Sequence, residues 1–306
     1  MNKILITGGT GMIGNALKEV LPNAIYLSSK DVNLINQKES EEYFDFVRPD
    51  KVIHLAARVG GIKANMDNLA DFFYENIMIN TNVLECSRKF KVKKVLSLMS
   101  TCVYPDKIQY PLVEDKMHYG PPHDSNYGYA YAKRMLDVQS RTYRDQYGCN
   151  FITAIPNNLF GEYDNFDLND SHVVAAIIRK VFDAKKNKTN VVLWGDGEVY
   201  REFTYSKDLA EILVFLLDNY NERFPINIGN PEEYLVKDLA KLISDVYEFE
   251  GEIIWDTTKP KGQHRKPSDN SLLKKIGWTK YTDFRSAIEK TCLWFEQNYD
   301  IAKGVK

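Results

Sequence analysis

The run Ile4-Leu5-Ile6-Thr7-Gly8-Gly9-Thr10-Gly11-Met12-Ile13-Gly14 decides the fold. A short apolar strand feeds a glycine-rich turn, and an amphipathic helical pattern continues to about Leu21. Gly8, Gly11 and Gly14 give a tight turn, close backbone approach to a pyrophosphate, and packing of the helix on its strand. The phosphates would rest on the free N–H groups of the helix N-terminus. A glycine triplet alone also marks turns of other α/β proteins. The strand before it and the helix after it are the context that a dinucleotide site requires.

Working outward, Ala24-Ile25-Tyr26-Leu27 reads as a second strand that ends in Ser28-Ser29-Lys30-Asp31. An acid at this strand end would hold the ribose 2′-hydroxyl of NAD. Two serines and a lysine come first here and suit a 2′-phosphate, so the expected cofactor is NADPH, held in part by Ser28 and Lys30. Asp31 is read as a cap for the segment that follows. A helix over Glu39–Val47 and a strand Lys51–Ala57 complete a β-α-β-α-β half, and the small Ala56 and Ala57 leave room for adenosine. His54, inside that apolar strand, is read as a packed core histidine. A long helix, about Leu69–Phe90, and the strand Lys94–Met99 follow.

That strand ends in Ser100-Thr101-Cys102, where ligands of open parallel sheets bind. The stretch from Asn126 to Met135 opens another amphipathic helix and puts Tyr129 and Lys133 on one face. There the ammonium is expected to favour the phenolate. A hydroxyl, a thiol, a tyrosine and a lysine together can work on a carbonyl carbon. The proline-bearing loop Tyr104–Ser125 is long enough to be a site loop. Strand Phe151–Ile155 and polar Glu162–Asp170 then mark a boundary. The expected class is α/β, a doubly wound parallel sheet (Rossmann) with a smaller α/β substrate domain. Residues 1–161 form the cofactor domain, to which 200–220 return, and 162–199 with 221–306 form the substrate domain.

Composition sets outer bounds. The 306 residues are 44% hydrophobic and 27% charged, as in an ordinary globular protein. A formal charge of −2 gives no electrostatic case for nucleic acid or an anionic membrane. No apolar stretch is long enough to span a bilayer. Cys86, Cys102, Cys149 and Cys292 lie far apart with no C-x-x-C pair, which argues against zinc or a disulfide scaffold. With no signal-peptide pattern after Met1, the expected location is cytoplasmic.

The motifs Thr7–Gly14, His54–Gly61, Ser100–Pro105, Tyr129–Met135, Asp164-Asn165-Phe166, Ser171-His172-Val173 and Arg201-Glu202-Phe203 carry a resemblance that spans the chain. It resembles the extended short-chain dehydrogenase/reductases, and among them the GDP-L-fucose synthase family. That family epimerises and reduces GDP-4-keto-6-deoxy-D-mannose with NADPH. The resemblance implies Tyr129 as proton donor to the C4 oxygen, Lys133 as its partner and ribose ligand, and Ser100 as a second donor. It implies Cys102 and His172 as base and acid of epimerisation. It puts Gly8, Gly11, Met12, Ile13, Gly14, Leu55, Ala56, Ala57, Pro156, Leu159 and His172 against the cofactor. Asn158, Val173, Lys180, Trp194, Arg201 and the Arg265-Lys266 pair fall to the GDP-sugar, and a homodimer is implied through the two long helices.

Three departures are visible: Lys261 before Gly262 where the family has an acid, Ala175 where proline is frequent, and Glu162-Tyr163 for Pro-His. These departures bear on the exact sugar, and a C4-reductase of a related GDP-keto sugar, such as a heptose, is an alternative because Cys102 and His172 can persist without epimerisation. A non-catalytic NADPH sensor would not need Ser100, Tyr129 and Lys133 together.

Overall fold

A computed structural model describes residues 3–259 and 264–305, so Lys261 lies outside the described residues. The first half alternates β1 (Ile4–Thr7), α1 (Met12–Val20), β2 (Ile25–Leu27), α2 (Gln37–Val47), β3 (Lys51–His54), α3 (Ile62–Asp67), α4 (Leu69–Lys89), β4 (Lys94–Leu98), α5 (Tyr127–Tyr147) and β5 (Phe151–Pro156). The remainder runs β6 (Asn158–Phe160), α6 (Val173–Asn187), β7 (Val191–Trp194), β8 (Tyr200–Tyr205), α7 (Ser206–Asn219), β9 (Ile226–Ile228), β10 (Glu233–Leu235), α8 (Val236–Val246), β11 (Ile253–Asp256), α9 (Ser271–Lys275) and α10 (Phe284–Gln297).

Six strands pair in parallel in the order β2-β1-β3-β4-β5-β9. Every residue of β4 and β5 is buried, as expected of strands covered by helices on both faces. Ile13, Leu17, Leu209, Leu213 and Leu216 from α1 and α7 pack on one face. Phe44, Val83, Leu84 and Leu136 from α2, α4 and α5 cover the other. Gly128 lets α4 and α5 approach closely, because a Cβ there would lie 2.4 Å from the Leu69 carbonyl oxygen. The doubly wound parallel sheet therefore stands.

Beside it lie a three-stranded sheet, β10-β8-β6, and a two-stranded one, β11-β7. They share an aromatic-rich core with α6, α8 and α10 that includes Phe160, Phe166, Phe203 and Phe295. Two placements differ from expectation. Residues 226–228, assigned to the substrate region, form the sixth strand of the main sheet, with Ile226 opposite Ala154 and both isoleucines fully buried. Residues 200–205, expected back in the first domain, pair instead with β6 and β10, because Phe203 and Tyr205 belong to the aromatic core. Only the following helix, α7, returns to α1. No described helix is long and apolar enough to cross a membrane.

Candidate active site

The glycine turn is shaped as its sequence demands. Gly8 has φ +71°, and a Cβ there would lie 2.9 Å from the Ala56 amide nitrogen; one on Gly14 would lie 2.5 Å from the Gly9 carbonyl carbon. Gly11 meets nothing closer than 3.4 Å, so its side of the turn is open. It is also the N-cap of α1 and offers no capping side chain, with Met12 and Ile13 next in line. An open backbone cradle at an uncapped helix start fits a dinucleotide pyrophosphate.

The strand feeding the adenosine side ends at His54 and not at Ala57: the Leu55 N–H still reaches the Thr7 carbonyl at 3.2 Å, but the Ala56 N–H turns to Thr7 Oγ1 at 3.2 Å. Thr7 Oγ1 also lies 2.8 Å from His54 Nδ1, and His54 Nε2 lies 3.0 Å from Asn80 Oδ1. Asn80 Nδ2 donates to the Ala132 carbonyl, so the fully buried imidazole has a partner at each nitrogen. Burial pushes its pKa down to about 3. His54 is a neutral strut between β1, β3, α4 and α5.

At the end of β2, the Ser28 backbone N–H and hydroxyl both donate to Asp31 Oδ2, at 2.8 and 2.6 Å. Asp31 thus closes the turn before it and does not cap the segment after it. Those bonds hold its carboxyl below the usual range. Lys30 is exposed beside this turn.

Beyond β4 the chain turns sharply at Thr101–Val103, and Ser100 Oγ accepts the Cys102 N–H at 3.4 Å. Arg134, buried on α5, fixes this turn: its Nε donates to the Val103 carbonyl at 2.9 Å and its Nη1 to the Gly120 carbonyl at 2.9 Å. One side chain so ties the serine turn and the long loop to the helix that carries Tyr129. Lys133 Nζ donates 2.9 Å to the Leu98 carbonyl, at the end of β4, and lies 6.0 Å from the Tyr129 ring centroid. Burial lowers its pKa to about 8. Burial, with the Cys102 charge adding to it, pushes the Tyr129 phenol well up. The expected phenolate is therefore not favoured: desolvation dominates, and Tyr129 is held as a proton donor. Burial also raises the Cys102 thiol, against the pull of Ser100, Lys266, Lys133 and Arg134. Ser100, Cys102, Tyr129, Lys133 and Lys266 are thus one interacting cluster.

Lys266 reaches Cys102 because the segment that carries it docks on the site loop. Leu112 N–H donates to the Pro267 carbonyl, and Asp269 N–H donates to the Leu112 carbonyl. Asn227 on β9 holds the same loop, accepting the Tyr104 hydroxyl and donating to the Leu112 carbonyl. Burial and the neighbouring Arg201 disfavour the Lys266 charge, and burial disfavours that of Arg201. Two half-buried cations held together suit a diphosphate. Arg265 does not join them; it clamps Glu233 of β10.

Trp194 is 62% exposed, with Lys259 Nζ 5.9 Å from its ring centroid, and offers a face for a base or sugar. Lys180 Nζ donates to the Val192 carbonyl and Asn158 Nδ2 to the Glu202 carbonyl, both at 2.9 Å, so both ligand groups are braced from behind. Pro156 ends β5, and half-buried Leu159 sits on β6 opposite Thr204. His172 is the N-cap of α6 and its side chain does not cap the helix; Val173 follows it. Its electrostatic neighbour is Asp164, which sequence reasoning left without a role, as it did Arg134 and Glu202.

A parallel doubly wound sheet with an open phosphate turn, and a Ser-Tyr-Lys carbonyl site at the end of its fourth strand, define a nucleotide-dependent oxidoreductase. Residues 4–229 match the NAD dependent epimerase/dehydratase family, and the chain belongs to it, on the GDP-L-fucose synthase branch. It is 42% identical over 310 residues to the GDP-L-fucose synthase of Dictyostelium discoideum, covering 98% of this chain and 97% of that one. A crystal structure of a GDP-L-fucose synthetase from Naegleria fowleri bound to NADP superposes with a TM-score of 0.95 at 40% identity, over 99% and 95% of the two chains. A GDP-6-OMe-4-keto-L-xylo-heptose reductase from C. jejuni is more distant in sequence, at 29% identity, with a TM-score of 0.90 over 97% and 98%.

Proposed function

We propose that this chain catalyses the GDP-L-fucose synthase reaction: epimerisation of GDP-4-keto-6-deoxy-D-mannose at C3 and C5, then reduction of the C4 ketone with NADPH. The observation that carries it is the cluster at the end of β4, where Ser100, Cys102, Tyr129 and Lys133 meet the Arg201-Lys266 pair. Residues 1–161 with α7 and β9 serve the cofactor, and the aromatic-rich half serves the sugar nucleotide. The enzyme works in the cytoplasm as a homodimer.

Bound NADPH supplies the hydride that reaches C4. Gly8, Gly11 and the start of α1 would cradle its pyrophosphate, Ser28 and Lys30 would hold the 2′-phosphate, and Lys133 the ribose. As negative charge grows on the C4 oxygen, the Tyr129 phenol gives it a proton and Ser100 donates a hydrogen bond. A preorganised donor of this kind lowers such a barrier by about 3–4 kcal/mol. The same two donors stabilise the enolate that forms when Cys102 removes a proton from C3 or C5, adjacent to the ketone. His172 then returns a proton to that carbon from the other face. Arg201 and Lys266 hold the diphosphate, and Trp194, Asn158, Lys180 and Val173 line the nucleotide and sugar.

The test is product NMR after turnover in deuterated water. Deuterium is expected at both C3 and C5, lost for the most part in Cys102→Ser. Tyr129→Phe is expected to slow reduction by about two to four orders of magnitude, the scale of a general acid. An unmutated protein that reduces the ketone without placing deuterium is instead a stand-alone C4-reductase, the alternative that the likeness to the heptose reductase keeps in view.

A further inference from the structure

The turn that follows β6 carries a carboxylate that the mechanism above does not use. Gly161 has φ +152° and Tyr163 has φ +67°, a left-handed value uncommon for a non-glycine residue. This backbone turns Asp164 inward, where the residue is only 6% exposed. One oxygen, Oδ1, accepts the Asn165 N–H at 2.7 Å. The other, Oδ2, is buried with no hydrogen-bond partner among the described residues. A carboxylate oxygen withdrawn from water and left unpaired costs stability, so its retention calls for a partner.

The charged groups whose fields reach it are His172, exposed at the start of α6, and Lys303 from the C-terminal segment. Arg179, the nearest guanidinium on α6, is taken up elsewhere: it donates to the Phe166 and Gly304 carbonyls and pairs with Asp183. The segment between is pinned at both ends. Phe166 N–H donates to the Lys303 carbonyl at 2.8 Å, and Ser171 N–H to the Asp167 carbonyl at 2.8 Å. Asp164 and the His172 backbone are therefore held in fixed relation, while the imidazole is not spent on capping α6.

We propose that Asp164 is a positioning residue for His172: its Oδ2, free in this structure, is the acceptor that the ring N–H facing away from the sugar takes when substrate is bound, fixing the imidazole and supporting the imidazolium. The inference rests on the epimerase reading of His172. In the step it serves, the imidazolium gives one proton to the enolate carbon, becomes neutral imidazole, and is reprotonated from water; Asp164 stays ionised throughout. Burial raises the Asp164 carboxyl to about 6, while the charges of His172 and Lys303 pull it down. A carboxylate orienting a working imidazole in this way sets both its tautomer and its direction.

The experiment compares Asp164→Asn and Asp164→Glu with the unmutated enzyme by two readouts. The first is the pH profile, between pH 6 and 9, of deuterium placement at C3 and C5 of the product. Asp164→Asn is expected to move its alkaline limb down by about one pH unit, the scale of one lost charge partner. Asp164→Glu is expected to keep the limb near its original place. A residue that only braced the turn would scale the profile without moving it. The second is an imidazole ¹⁵N spectrum recorded with substrate bound, the His172 signal assigned from His172→Asn; its hydrogen-bonded N–H resonance should be lost in Asp164→Asn and kept in Asp164→Glu. This readout needs no turnover. If the unmutated enzyme places no deuterium but the resonance behaves as expected, the pairing stands and the epimerase reading fails. Deuterium placement with an unmoved limb and an unchanged resonance in Asp164→Asn overturns the pairing itself.

Discussion

Lys133 shows how one burial decides a pH dependence. Desolvation brings its pKa to about 8, below the ordinary lysine value. The sign follows directly: the ammonium is present below pH 8 and is lost as pH rises through it, more than two units before an exposed lysine would titrate. With it goes the charge that favours electron build-up on Tyr129 as the phenol gives up its proton. kcat/KM for reduction is expected to fall above about pH 8, tenfold for each further pH unit. A profile flat to pH 9.5 would show that the Lys133 charge is not needed. The spacing of Tyr129 and Lys133 was readable in the sequence because both lie one helical turn apart. So was the serine turn, because an apolar strand leads into it. Asp164, Arg134 and Glu202 were not readable in the same way. Their importance lies in being buried with chosen partners, a property of the folded chain that no spacing encodes.

Between elements, Glu202 on β8 is the corresponding case. It is 2% exposed and accepts the Ser268 N–H at 3.0 Å, the Ser268 hydroxyl, and Asn157 Nδ2 at 3.4 Å. It thereby joins β8, the start of β6 and the segment that delivers Lys266. Burial raises its carboxyl to about 7, against the pull of those donors. Because the folded value lies above the unfolded one, this group's contribution to stability is complete below pH 4.5 and is lost as pH rises through 7. Glu202→Gln removes that proton uptake, so the fall in melting temperature between pH 5 and pH 8 should shrink by roughly 2–4 °C. An identical fall in both proteins, followed by circular dichroism, would refute the assignment. Element reading succeeded where periodicity ran long, as in α4, α5 and β4, and failed where elements are short. β6 and β10 have three residues each and α3 has six, too few for a pattern to develop. β8 and β9 exchanged halves relative to expectation because which sheet a strand joins depends on the helix packed against it.

For the whole molecule, the open question is what covers α4 and α5. Met66 on α3, and Leu69 and Phe73 on α4, are 58%, 39% and 42% exposed, and Tyr127 and Val138 on α5 are 50% and 39% exposed. Leu69 and Phe73 recur at helical spacing, as do Tyr127, half-buried Tyr131 and Val138, so each set lies on one face. Gly128 sits against Leu69 and Phe73, which makes the two stripes neighbours and the patch continuous. A contiguous apolar patch of this kind marks a binding face. A second copy brings the same patch, and a two-fold axis lets the two helix pairs close into a four-helix bundle. The protein is therefore expected to sediment at twice 35.4 kDa at micromolar concentration. Phe73→Glu combined with Val138→Glu puts like charges at the centre of the bundle while leaving each chain's own core alone. It should sediment at 35.4 kDa with an unchanged far-ultraviolet spectrum. An unmutated protein that sediments as a monomer at that concentration would leave the patch to some other occupant and remove the dimer.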